Sequence, residues 1–104
     1  GAELILAASR LGADLFFMGG TGLHPDEGCS TGDAEEAAVK RALHERASET
    51  IVLASAEKLM RASPFLIAPL RELAAIAVPP GTPTRTVRAL AAGGVTVRKV
   101  PGVV

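Results

Sequence analysis

Three short apolar runs and a fourth that alternates in part punctuate the chain: Asp14–Gly19 (DLFFMG), Thr50–Ser55 (TIVLAS), Ala74–Val78 (AAIAV) and Val95–Val100 (VTVRKV). Each is too short for a helix and long enough for a strand. The stretches between them carry helix signals. Ala2–Leu11 has apolar residues at helical spacing and stops before Gly12, a good terminator. Asp33 opens a second helix. Pro69 suits the first turn of a short one running to about Leu73. Thr82 is placed to cap another, with Pro83 in its first turn and Gly93-Gly94 at its end. Strands linked by helices need crossover connections, and those build parallel sheets. The order α-β-loop-α-β-α-β-α-β therefore predicts an α/β fold, a parallel sheet of about four strands with helices on both faces. TIVLAS and AAIAV read as central strands buried on both faces, and VTVRKV as an edge strand.

The helix after Asp33 has the clearest start. The Asp33 carboxylate can accept hydrogen bonds from the first turn, and Glu36 stands three residues on, as in a capping box. Glu35 and Glu36 suit the positive end of the helix dipole. Glu36 and Lys40 are spaced as a favourable i,i+4 pair. Ala34, Ala38, Val39, Ala42 and Leu43 read as the apolar stripe.

Composition narrows the function. At 104 residues the chain is one small domain, spanning 1–104. Eleven basic and eleven acidic residues leave a formal net charge of zero, which argues against a general nucleic-acid surface and fits self-association. The single cysteine, Cys29, excludes an internal disulfide and points to a reduced, cytoplasmic setting. No apolar run approaches the ~20 residues of a membrane span. With no Trp, no Tyr and three Phe, a base-stacking platform is hard to build.

Candidate chemistry gathers at strand ends. Gly19-Gly20-Thr21-Gly22 follows the first strand directly, where open α/β sheets bind ligands. It is not a P-loop, for no Gly-Lys-Ser/Thr closes it, and no dinucleotide fingerprint, for the helix starts too late. A flexible turn explains the same glycines. Thr31 precedes a helix N-terminus, a natural anion site, and capping is its alternative role. Lys58 lies just past the strand Thr50–Ser55 and could hold a phosphate; a solvated loop lysine is the other reading. His24, His44 and Cys29 lack the spacing of a metal or nucleophile site, so neither metal nor cofactor is expected. No Asp, Glu or His stands at a strand end, so no catalytic residue is expected either.

The run DLFFMGGTGLHPDEGCSTGDAEEAAVKRALHERASETIVLASAEK, then IAPLRELAAIAV and GVTV, resembles the carboxyl-terminal sensor domain of DeoR-type bacterial transcriptional regulators. The resemblance covers about Asp14 to Val100, and its most specific stretch is EEAAVKRA. It implies a ribose-phosphate-isomerase-like fold that has lost catalysis and binds a phosphorylated sugar or related metabolite. Binding would then control operator DNA through an N-terminal helix-turn-helix domain not in this chain. By position, Gly19, Gly20, Thr21 and Gly22 would form the pocket loop, Glu36 and Lys40 match the helix motif, and Lys58 matches a lysine after a strand. The resemblance further implies a homo-oligomer and a chain that is the later part of a longer regulator. Two departures stand out: Ser55 where the family usually has Asp, and Leu59-Met60 where it often has Phe-Gly. A sugar-phosphate isomerase or deaminase, or an oligomerisation module, remains the alternative.

Overall fold

The structure, a computed structural model, describes residues 14–103. The helix read over Ala2–Leu11 lies outside the described residues. Four strands form one parallel sheet in the order β1 (Leu15–Gly19), β4 (Glu49–Leu53), β6 (Ala75–Val78) and β7 (Thr96–Lys99). These are the four runs read from sequence, with ends shifted by a residue or two; β4 begins one residue earlier, at Glu49. The strand read at VTVRKV is an edge strand, and β1 forms the other edge. The α/β class and the four-strand parallel sheet read from the sequence are the observed ones.

A second sheet was not legible. Three short antiparallel strands, β2 (Gly22–His24), β3 (Gly28–Thr31) and β5 (Phe65–Ala68), make it in the order β2-β3-β5. Much of the stretch read as a Gly-rich loop is thus a hairpin, and β2 and β3 are buried apart from half-buried His24. Its turn is held by the His24 ring, whose Nδ1 accepts from the backbone N–H of Asp26 at 3.1 Å and of Glu27 at 3.3 Å. Strands this short, with β5 pairing Thr31 to Phe65 and Cys29 to Ala68 from far along the chain, carry too little periodicity to be read from sequence.

The helix α1 (Ala34–Arg46) starts as expected: Asp33 Oδ1 accepts from Glu35 N–H at 2.8 Å and from Glu36 N–H at 3.1 Å. Its apolar stripe differs from the reading. Ala37 is the buried residue; Ala34, Ala38 and Ala42 are exposed, and Val39 and Leu43 half-buried. An alanine-rich helix has no sharply apolar face, and polar ends do the anchoring. The Arg41 guanidinium donates to the Leu66 carbonyl, and the His44 ring lies 2.7 Å from Thr50 Oγ1 and 3.0 Å from Glu72 Oε1. The segment after Pro69 is a single 3-10 turn, Leu70–Glu72. The last helix, α2 (Thr84–Ala91), has Pro83 at its cap. Thr82 does not cap it; its hydroxyl donates instead to the Pro79 carbonyl at 2.8 Å.

The core lies on one face of the parallel sheet. Met18, Val52 and Ile76 are in register across β1, β4 and β6 and are fully buried with Leu23, Cys29, Ala37 and Leu90. The strands advance in one direction, so right-handed crossovers place α1 and α2 on that same face. TIVLAS is therefore buried on one face, not two, as far as the described residues go. On the opposite face Leu15, Phe17 and Leu53 are 44%, 56% and 43% exposed.

Gly28 shows how tightly the hairpin is packed. Its φ is +76°, and a Cβ there would lie 2.6 Å from the Ala68 carbonyl oxygen and 3.1 Å from Pro69 Cα. Backbone strain and backbone collision coincide, so Gly28→Ala should lower unfolding stability by more than about 2 kcal/mol. Urea denaturation reads this; a loss below about 0.5 kcal/mol would contradict the packing.

Candidate functional site at the carboxyl edge of the sheet

β1 and β4 are neighbours, and Gly19 pairs with Leu53 at their carboxyl ends. The chain leaving each strand must therefore start side by side with the other. Further contacts hold the two connections together. Leu59 bridges to Leu23, and Arg61 N–H donates to the Leu23 carbonyl at 3.1 Å. A Cβ on Gly22 would stand 2.9 Å from the Arg61 carbonyl oxygen, so the glycine permits this approach. The Gly19–Gly22 segment and the connection after Ser55 form one continuous rim.

Six of the seven residues named from sequence fall in this region and interlock. Lys40 Nζ donates to the Gly19 carbonyl at 2.7 Å and to Glu36 Oε1 at 2.6 Å. Thr31 Oγ1 donates to Glu36 Oε2 at 3.3 Å. Cys29 Sγ donates to Thr21 Oγ1 at 3.1 Å, and both residues are fully buried. Gly20 presents its α-carbon toward the Lys40 ammonium, which a Cβ there would meet at 3.6 Å. Gly22 is buried against Arg61. The ammonium of Lys40 is thus already neutralised by Glu36, and Thr31 and Thr21 are committed to internal partners. This cluster pins the end of β1 to α1.

Lys58, the seventh, sits apart from that cluster in a 3-10 turn, Ala56–Lys58, and is half-buried. Ser55 Oγ donates to Glu57 Oε1 at 2.7 Å beside it. That hydrogen bond is the main cause holding the Glu57 carboxyl below its ordinary range. Further along the rim, between the β4 and β6 connections, is an open cavity of about 390 Å³. Leu59 and Met60 form one wall; Pro79, Thr82, Pro83 and Thr86 form the other. Sequence reasoning missed it, because its two walls come from segments about 20 residues apart with no shared pattern. Met60, in the first wall, adopts φ +62°.

Electrostatics agree with a structural cluster and an uncommitted rim. The hydrogen bond from Lys40 holds the Glu36 carboxyl below its ordinary range. Burial pushes the Cys29 thiol up, outweighing Thr21 and Lys40, so it stays protonated and unreactive near neutral pH.

An open parallel sheet with loops gathered at its carboxyl edge belongs to the class of α/β ligand-binding domains. Residues 1–78 match the family described as the DeoR C terminal sensor domain, and the chain belongs to that family. The matched range ends with β6, before Pro79 and α2. No curated protein matches the chain.

The Lys40–Glu36 pair makes a pH prediction. Because the folded-state pKa of Glu36 is depressed, its contribution is present above the ordinary carboxylate range and lost as pH falls through the lower folded value. Glu36 is 41% exposed, so screening keeps the effect small. Glu36→Gln should cost less than about 1 kcal/mol at neutral pH and flatten the acid-side stability slope. Denaturant titrations at neutral and acid pH check both; an unchanged slope would contradict the pairing.

Proposed function

We propose that this chain is the effector-binding part of a DeoR-family regulator and that its carboxyl rim takes a phosphorylated sugar or related metabolite. The single observation behind this reading is the family match over residues 1–78, whose matched range includes the whole Gly19–Arg61 rim. Occupancy of the rim would change the grip of a helix-turn-helix domain on operator DNA in the cytoplasm. The chain's chemistry is then binding rather than turnover.

Among the residues named, Lys58 is the best contact for the phosphate. Its turn abuts the Gly19–Gly22 segment through Leu59 and Arg61, and no cluster partner engages its ammonium among the described residues. Lys40, Thr31 and Thr21 act in this reading by shaping the loop, with Gly19, Gly20 and Gly22 leaving room for the ligand to approach its backbone. The homo-oligomer implied by the resemblance is a separate proposal, checked by sedimentation; a clean monomer at high concentration would count against it.

A thermal-shift screen of the regulator against sugar phosphates tests the reading. A ligand at ~100 times its dissociation constant should stabilise by about 2.7 kcal/mol. With the ligand found, Lys58→Ala should weaken binding about tenfold to a hundredfold, the loss of one charge-assisted hydrogen bond. Glu57→Gln should tighten it, by removing a neighbouring negative charge. Calorimetry decides; unchanged affinity in Lys58→Ala would make that residue a solvated lysine. Turnover of a pentose or hexosamine phosphate, abolished by a change at this rim, would favour the isomerase alternative.

A further inference from the structure

We infer that the cavity between Met60 and α2 is a binding site for an uncharged, mostly apolar group, the part of the effector that does not carry phosphate. The inference rests on the reading of this rim as the effector site and narrows its ligand to a phosphorylated metabolite whose other end carries few hydroxyls.

Size and place come first. At about 390 Å³ the cavity falls in the ligand-sized range of roughly 300–1,000 Å³. It opens between the carboxyl ends of β4 and β6, adjacent strands of the parallel sheet. Its chemistry then selects the occupant. No Lys, Arg, His, Asp or Glu lines it. A phosphate placed there would lose part of its hydration without gaining a counter-charge. The polar groups are two threonines. Thr82 already spends its proton on the Pro79 carbonyl, while the Thr86 hydroxyl bonds to none of the described residues. One hydroxyl against a wall of Ala56, Leu59, Met60, Pro79 and Pro83 suits an apolar group with a single polar substituent.

Met60 is the independent observation. A side chain at φ +62° is strained, and Met60 is 42% exposed, so burial does not offset the strain. What the methionine contributes instead is part of the cavity wall, with an adaptable thioether. Lys58 completes the picture. It falls between the lining residues Ala56 and Leu59 without lining the cavity itself. A ligand with its phosphate at Lys58 can therefore continue into the cavity with its uncharged end. The far wall, Pro79 to Thr86, lies beyond the range matched to the family.

Nuclear magnetic resonance on the 104-residue chain tests the site, with benzyl alcohol and inorganic phosphate as separate probes. Benzyl alcohol should shift the amides of Leu59, Met60, Gly81 and Thr82 saturably, and phosphate should leave those of the far wall, Gly81 and Thr82, in place. Ala56→Trp, at an exposed position on the cavity mouth, should weaken benzyl alcohol at least about tenfold by occupying the space. Thr86→Leu, from the opposite wall, should do the same; unperturbed amides in β1 and β6 establish that each variant is folded. Benzyl alcohol shifting only the Phe17 and Leu53 face, or phosphate shifting the Gly81 and Thr82 amides, would overturn the inference. The effector reading fails differently. If benzyl alcohol fills the cavity but no sugar phosphate stabilises the regulator, the site stands and that reading falls. If sugar phosphates bind and benzyl alcohol does not, the cavity inference alone is overturned.

Discussion

Leu23 joins the two sheets of this molecule, and the geometry of the carboxyl rim depends on it. Its side chain is fully buried in the core shared with Met18, Val52 and Ile76. Its backbone bridges to Leu59 and accepts from Arg61 N–H. Burying one leucine therefore draws the chain after β1 and the chain after β4 into a single rim. Fully burying such a side chain stabilises by about 1.5–3 kcal/mol, which outweighs any one of the hydrogen bonds around it. Gly22 and Gly28, on either side, are small because backbone from the 61–69 segment approaches them closely.

The second constraint is electrostatic and local. The Gly19 carbonyl ends β1 and faces the ammonium of Lys40, one helical turn from Glu36. Lys40 Nζ is thereby shared between a carbonyl and a carboxylate, and its position sets where the Gly19–Gly22 segment can run. A lysine near a candidate pocket invites assignment as a phosphate contact. Here its charge is matched inside the fold, whereas Lys58 and Arg61 stand at the rim without an ion-pair partner among the described residues.

The legible parts of the fold were those whose signals are local. Three of the four parallel strands lie in short apolar runs and β7 in a partly alternating one, and the Asp33 cap with Glu36 behind it marks the start of α1 in a way that any helix would need. The hairpin and β5 were not legible, because their pairing links Ser30 with Leu66 and Cys29 with Ala68, partners that no short window contains. The apolar stripe of α1 misled for a related reason: alanines mark no face strongly, and Arg41 and His44 hold the helix by polar contacts to β5, Thr50 and Glu72. The site divided the same way. Gly19 to Gly22 were visible as a glycine cluster at a strand end, whereas the cavity was hidden because Met60 and Thr86 meet only in three dimensions.

The account's central claim is that the connections after β1 and β4 form one ligand-binding rim. Hydrogen exchange followed by mass spectrometry, with and without the sugar phosphate that gives the largest thermal shift, measures this most directly. The account predicts that slowed exchange appears together in Gly19–Leu23 and Ser55–Arg61, because Leu23 and Arg61 are tied through the backbone. Slowed exchange confined to the open Phe17 and Leu53 face, or to one connection without the other, would contradict it.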